Sequence, residues 1–246
     1  MEPANRKLLE EGLRAFGLAP TEASVEAVIK HLSLVAEWNE RINLTAITAE
    51  REMVIKHALD SAAGLQVIQK QSGLKMLDVG TGAGFPGVTW KCLMPEIDLV
   101  LLESLQKRCR FLEVVGQEVI EPLTGGAGGY QIIWSRAEDA GQSPLHRERY
   151  DVVTARAVAE LRILAEYCLP FVKVGGEFLA MKGPGVGEEI AHAKRALNLL
   201  GGEVEEAVEV ELPEGAGVRS LIRIRKVMAT PKSYPRRAGT PAKSPL

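Results

Sequence analysis

A chain of 246 residues with 46% hydrophobic and 25% charged content can hold one sizeable α/β domain with an appendage, and is short for two full domains. No apolar run approaches a membrane span, residues 1–6 carry no apolar signal core, and a net charge of -2 excludes a chain-wide polyanion binder. The three cysteines, Cys92, Cys109 and Cys168, are odd in number and spaced for neither zinc nor a disulfide framework, so no metal is expected and a reducing cytoplasm fits.

The first elements are helical. Val25, Val28, Ile29, Leu32, Val35 and Trp38 recur at helical spacing behind Thr21, a candidate N-cap, and a second short helix is predicted over 51–59. No strand pattern precedes residue 73, so residues 1–72 read as a small helical extension. From Lys75 apolar strands alternate with amphipathic helices. Strands are predicted over 75–79, 99–103, 131–134, 151–155 and 178–181, with helices from Pro86, over 106–119, over 158–171 and over 186–200. Pro86 suits a first helical turn, where its missing N–H costs nothing. Two closing strands, 204–212 and 220–225, have no helix between them and should pair as a hairpin. The pattern predicts a mostly parallel, doubly wound sheet covered on both faces over residues 73–228, with an antiparallel edge strand from the hairpin. Gly125-Gly126-Ala127-Gly128-Gly129 reads as a flexible loop.

Beyond Glu214 there is no acidic residue, while Arg219, Arg223, Arg225, Lys226, Lys232, Arg236, Arg237 and Lys243 follow. The basic, proline-bearing tail over residues 229–246 is either a source of local positive field or a solvated, disordered segment.

The central motif is Asp78-Val79-Gly80-Thr81-Gly82-Ala83-Gly84, placed between a strand and a helix. Its G-x-G-x-G spacing departs from the dinucleotide fingerprint, whose third glycine would stand where this chain has Phe85, and no Walker A lysine follows. A packing-driven turn would explain the glycines alone. Asp78 at the strand end and Glu103 at the end of the second strand point further. A carboxylate at Glu103 stands where doubly wound sheets bind a ribose diol, and it would repel a 2′-phosphate. S-adenosylmethionine has no pyrophosphate and needs room near the glycines, a carboxylate for the ribose and an adenine slot, for which Ala137 and Glu138 are positioned.

The acceptor is read from what is missing. The Asn/Asp-Pro-Pro-aromatic motif that serves exocyclic amines is absent, and Thr154-Ala155-Arg156-Ala157 stands in its place. Carbon-5 of a pyrimidine would need a nucleophilic cysteine, but Cys168 sits at an apolar-periodic helical position. Guanine N7 offers a lone pair with no proton to remove, so positioning and electrostatics suffice.

Several segments carry a resemblance: residues 38–48 (WNERINLTAIT), 56–61 (KHALDS), 77–87 (LDVGTGAGFPG), 101–105 (LLESL), 135–138 (SRAE), 154–159 (TARAVA), 180–183 (AMKG) and 234–241 (YPRRAGTP). With these the chain closely resembles the bacterial RsmG family, also called glucose-inhibited division protein B, over nearly its whole length. The resemblance implies a Rossmann-like class I methyltransferase that uses S-adenosylmethionine to methylate guanine N7 in small-subunit (16S) ribosomal RNA, free or in a ribosomal particle. It implies a cytoplasmic enzyme, with no membrane or obligate protein partner; a monomer is expected. It implies cofactor contacts at Gly80, Phe85, Ala137, Glu138 and Arg156, with Glu103, Ser104 and Leu105 nearby; Asp78, Gly82 and Gly84 complete the expected cofactor set. The second-strand acid, commonly Asp in the family, is Glu103 here.

Lys182 follows the fifth strand at the carboxyl edge where such sheets bind ligands, and with Arg219, Arg236, Arg237 and Lys243 forms the expected RNA-binding set. For His57 and Asp60, helix packing or a local ion pair is favoured over a substrate-side role, and no catalytic residue is assigned. Three other readings share parts of the pattern. A small-molecule methyltransferase would not need the basic tail, a nicotinamide oxidoreductase conflicts with Phe85, and a non-catalytic RNA-binding module would bind no cofactor.

Overall fold

A computed structural model describes residues 1–68, 73–126, 128–156 and 159–246. Helix α1 spans Pro3–Ala15 and α2 spans Glu22–Asn39. The Thr21 hydroxyl accepts from Ser24 N at 3.1 Å, as its N-cap position predicts. Helix α3 covers residues 50–63 and includes a π-helical stretch, Val54–Leu59. There follow β1 (Lys75–Val79), α4 (Gly87–Leu93), β2 (Asp98–Glu103) and α5, residues 106–124 with a π-helical stretch at Gly116–Ile120. Then come β3 (Tyr130–Trp134), α6 (Ala137–Gln142), β4 (Tyr150–Arg156) and α7 (Leu161–Cys168). The remaining elements are β5 (Val172–Lys182), α8 (Gly187–Leu200), β6 (Gly202–Glu211), β7 (Val218–Lys226) and α9 (Thr240–Lys243).

Among the described residues seven strands form one sheet in the order β3-β2-β1-β4-β5-β7-β6. β1 to β5 are parallel, and β7 is antiparallel to both β5 and β6. The order reverses between β1 and β4, and such a switch point opens a crevice at the carboxyl ends of the strands. This is an α/β, Rossmann-like doubly wound fold.

Period-two alternation sends successive strand residues to opposite cores. Met76, Leu99, Leu101, Val152 and Leu179 face one core with α1 to α5, while Leu77, Val100, Leu102, Val153 and Phe178 face the other with α7 and α8. The helical extension is therefore one cover of the sheet. Leu9, Leu13, Val35 and Leu59 are fully buried in the shared core, each contributing about 1.5–3 kcal/mol. The Trp90 indole N–H donates to Ser61 O at 2.7 Å, tying α4 to α3.

Three expectations are corrected. The antiparallel strand is not at the edge: β7, with Leu221, Ile222 and Ile224 buried, lies inside, and the edge is β6, whose Glu203, Glu205, Glu209 and Glu211 are exposed. Charged side chains suit an edge strand and Leu-Ile-x-Ile an inner one. Pro86 is the N-cap of α4, after which the helix begins at Gly87. The segment from residue 229 is not a free tail: half of it is exposed, but Thr230, Pro235 and Pro241 are buried and it packs on α6, α7 and the loop before β4, as detailed below. The expected helix start at Val158, Ala157 of its motif, Ala127 of the glycine insert and the boundary at residue 72 lie outside the described residues.

Candidate functional site

The glycine loop leaves β1 at the switch point. Gly80, Gly82 and Gly84 have φ of 71°, 60° and 92°, a left-handed backbone that side chains resist. A Cβ on Gly84 would lie 2.6 Å from Val88 Cγ2, whereas one on Gly82 would meet only Arg108 Nη1, at 4.0 Å. Gly84 is thus required by packing, and Gly82 leaves open space.

Asp78 is fully buried and holds the loop: its Oδ2 accepts from Thr81 Oγ1 at 2.6 Å and from Gly87 N at 2.9 Å. Burial pushes its carboxyl up to about 6. A zero-exposure side chain shapes the loop and presents no surface to a ligand, which corrects its expected place among the cofactor contacts. Its Oδ1 is buried and has no hydrogen-bond partner among the described residues. Sequence reasoning missed His31, whose Nε2 lies 2.8 Å from Ala83 O while Nδ1 has no partner among the described residues. A carbonyl accepts only, so Nε2 carries the proton, and burial pulls the ring down to about 4, leaving it neutral. Its periodic place in α2 gave only a core signal.

Phe85 lies between two imidazoles, 4.6 Å from His31 and 4.7 Å from His57, with the Arg156 guanidinium 5.3 Å from its ring centre. Glu103, nearly buried, accepts from Gly82 N at 3.1 Å, Ser104 N at 2.7 Å and Leu105 N at 2.8 Å. Three N–H groups fill three of the roughly four lone-pair positions of a carboxylate.

Two cavities open at the carboxyl edge. The first, about 240 Å³, is lined by Gly80, Ser104, Ala137, Glu138, Tyr167 and Gly239 among others. The second, about 350 Å³, is lined by Lys56, His57, Asp60, Arg156, Lys182 and Arg219 with Ile47, Met181 and Gly183. His57 and Asp60 stand in this cavity's wall, and Asp60 also makes the ion pairs that the sequence reading favoured over a substrate-side role. A larger space of about 460 Å³ between α8 and β6 lies away from this edge and contains no residue of the glycine loop.

The second cavity is organised by Asp60. Its Oδ2 meets Arg156 Nη1 at 3.1 Å and its Oδ1 meets Arg219 Nε at 3.0 Å. Arg156 also donates to Lys56 O at 3.3 Å and Ser61 Oγ at 3.3 Å. The Lys56 carbonyl belongs to the π-helical stretch, and such stretches recur at functional sites. Arg156 Nη2 approaches His57 Nδ1 at 3.5 Å and Thr45 Oγ1 lies 2.8 Å from His57 Nε2. Burial, then Arg156, lowers the His57 pKa to about 4, so the ring is neutral.

The expected RNA-facing residues divide. Lys182 and Arg219 line the second cavity, although Lys182 Nζ is also held by Ala159 O and Glu189, each at 2.7 Å. Arg237 and Lys243 are exposed. Arg236 is corrected: its guanidinium is spent on the buried Glu166, with Nη2 to Oε2 at 2.6 Å and Nε to Oε1 at 2.9 Å. Lys226, part of the supposed basic field, is fully buried against Leu169 O and Thr230. Leu105 is 44% exposed and lines neither cavity. Among the described residues no group of His, Cys, Asp and Glu is placed to hold a metal, and no helix is long and apolar enough to cross a membrane. The Cys168 thiol is raised well above its ordinary range by burial, which suits a core residue.

The sequence model of the rRNA small subunit methyltransferase G family (GidB) matches residues 24–217. Ribosomal RNA small subunit methyltransferase G of Symbiobacterium thermophilum is 68% identical over 243 residues, covering 99% of this chain and 98% of that protein. Its namesake in Pelotomaculum thermopropionicum is 48% identical, covering 97% of each. Among solved structures, a mutant 16S rRNA adenine-N1 methyltransferase from Catenulisporales acidiphilia superposes with a TM-score of 0.52 at 16% identity, over 65% of this chain and 88% of that one; this likeness concerns the fold alone.

Proposed function

The chain belongs to the rRNA small subunit methyltransferase G family, and on that premise we propose that it transfers a methyl group from S-adenosylmethionine to guanine N7 in small-subunit ribosomal RNA. One observation carries the reading. A cavity lined by Gly80, Ser104, Ala137 and Glu138 and a cation-lined cavity of Lys56, Arg156, Lys182 and Arg219 both open at the carboxyl edge of the sheet, where the neighbouring strands β1 and β4 end.

The cofactor would sit at the first cavity, beside the glycine loop. Gly80, Ser104, Ala137 and Glu138 line that cavity, Gly82 leaves open space beside the loop, and Glu103, with three of about four acceptor positions filled, keeps one for a ribose hydroxyl. Gly80, Gly82, Glu103, Ser104, Ala137 and Glu138 would hold it. When bound, S-adenosylmethionine supplies an electrophilic methyl group on a sulfonium sulfur.

The second cavity takes the acceptor base. At about 350 Å³ it lies in the range of ligand pockets, and the target guanine enters it after leaving its stack. N7 carries a lone pair and no proton, so the base would need no deprotonation by the chain before accepting the methyl group that bound S-adenosylmethionine would supply. No residue has to remove a proton first. His57 is neutral with both ring nitrogens engaged, Arg156 is fixed by Asp60, and the chain's contribution is orientation in a prearranged electrostatic setting. Lys182 and Arg219 face the RNA at the mouth, and exposed Arg237 and Lys243 add phosphate contacts.

The reading is tested by incubating the protein and labelled S-adenosylmethionine with small ribosomal subunits, and with their naked RNA, from cells that lack the family's enzyme. Label in the small-subunit RNA of either substrate is expected. A protein that binds the cofactor yet labels neither would contradict the assignment.

A further inference from the structure

We propose that residues 238–243 form a wall of the cofactor cavity, so that docking of the C-terminal segment and binding of the cofactor are coupled through Glu138. The inference rests on the cofactor reading above and assigns the segment a second role beside RNA contact.

The segment is fastened by side chains far away in sequence. Arg147 has no carboxylate partner among the described residues; its guanidinium donates to the carbonyls of Thr230 at 2.7 Å, Pro231 at 3.0 Å, Tyr234 at 2.7 Å and Gly141 at 3.0 Å. The planar five-donor fork suits such a backbone clamp. Gln142 Nε2 donates to Pro235 O at 2.7 Å. Glu166 accepts from Arg236 N at 2.8 Å and takes the guanidinium bidentately. Gly141 belongs to this docking too, because a Cβ there would lie 2.9 Å from Pro235 Cγ.

These fastenings bring the chain past the mouth of the first cavity. Gly239, at φ +81°, donates its N–H to Glu138 Oε1 at 2.7 Å, and both Gly239 and Ala242 line the cavity. Glu138 is 6% exposed and sits in the same lining, and its Oε2 accepts no hydrogen bond among the described residues. One oxygen thus holds the C-terminal segment while the other is left for a donor on the ligand, such as an exocyclic amine. A ligand that fixes the carboxylate favours the docked segment, and the docked segment favours the ligand by the same factor.

The test uses the full chain and S-adenosylhomocysteine. Arg237 is exposed, and trypsin cleavage between Arg237 and Ala238 reports on opening of the segment. With ligand at about 100 times its Kd, cleavage there is expected to slow by about tenfold or more, up to a ceiling of about 100-fold if the open form binds no ligand. A chain ending at Arg237 is expected to bind S-adenosylhomocysteine at least about tenfold more weakly by calorimetry, with its urea midpoint in the absence of ligand little moved. Ligand-independent cleavage, or an unchanged Kd in the shortened chain, would overturn the coupling. A full chain that binds no S-adenosylhomocysteine at all would instead overturn the cofactor reading, and the inference with it.

Discussion

Asp60 at the end of the π-helical stretch of α3 and Arg156 at the end of β4 pair at 3.1 Å, joining the helical N-terminal segment to the carboxyl edge of the sheet. The second oxygen of the same carboxylate holds Arg219 of β7 at 3.0 Å. Asp60→Asn leaves two guanidinium groups in a largely buried place without their counter-charge. Removing one partner of such a pair costs about 3–5 kcal/mol, less here by solvent screening of Arg219, which is about a quarter exposed. Urea denaturation should show a loss of a few kcal/mol, and methyl transfer should fall at least about tenfold while S-adenosylhomocysteine affinity changes little. Unchanged stability and transfer would show that the pair does not organise the second cavity.

The glycines of the loop separate packing from ligand approach. Gly84→Ala meets both a positive φ and Val88, so strain of roughly 1–2 kcal/mol adds to overpacking of about 1–3 kcal/mol. Gly82→Ala meets the φ strain alone and places a methyl in the space proposed for the cofactor. Gly84→Ala should be the less stable in urea, and Gly82→Ala should fold and lose cofactor affinity. A Gly82→Ala protein with an undiminished Kd would remove the loop from the binding site.

Acid stability follows from the buried rings. Folded His31 and His57 titrate at about 4 instead of 6.5, so the unfolded chain takes up their protons first. Their contribution is full above pH 6.5 and is lost as pH falls toward 4. Asp78 opposes this: raised from 3.8 to about 6, it protonates first in the folded chain, which favours folding as pH falls through that window. Two rings outweigh one carboxyl, so the urea midpoint should be lower at pH 5 than at pH 7. His31→Gln should reduce the slope of stability between pH 4 and 6.5 by up to about 1.4 kcal/mol per pH unit, one proton's worth. An identical slope would mean that His31 is not held neutral.

The basic residues of the C-terminal segment should separate in salt titrations. Neutralising Arg237 or Lys243 should flatten the log–log salt dependence of RNA binding by up to roughly one unit each. Arg236→Gln should leave that slope unchanged and cost about 3 kcal/mol of stability, because Glu166 is left buried without its counter-charge. A slope change with Arg236→Gln alone would return that residue to the RNA interface.

Much of the framework was legible in the sequence because it rests on local periodicity. β1 occupies residues 75–79 as expected, and Glu103 closes β2 beside the glycine loop. The inner position of β7 was readable in principle from the alternate glutamates of β6 against Leu221, Ile222 and Ile224. What stayed hidden depends on contacts between residues far apart in the chain. Composition gives Arg236 a positive charge, but only the fold supplies Glu166 to absorb it. Likewise the neutrality of His31 comes from its burial against Phe85, and the place of Asp60 in a cavity wall from Arg156 and Arg219.

The central claim is transfer to guanine N7, and the most direct test is the position of the methyl group on the RNA. Labelled small-subunit RNA is treated with cleavage chemistry specific for 7-methylguanosine and the break is mapped by primer extension. A single break at one guanine, accounting for all the incorporated label, is the predicted result. Label that survives the chemistry without a break, and so lies on another atom or base, would contradict it.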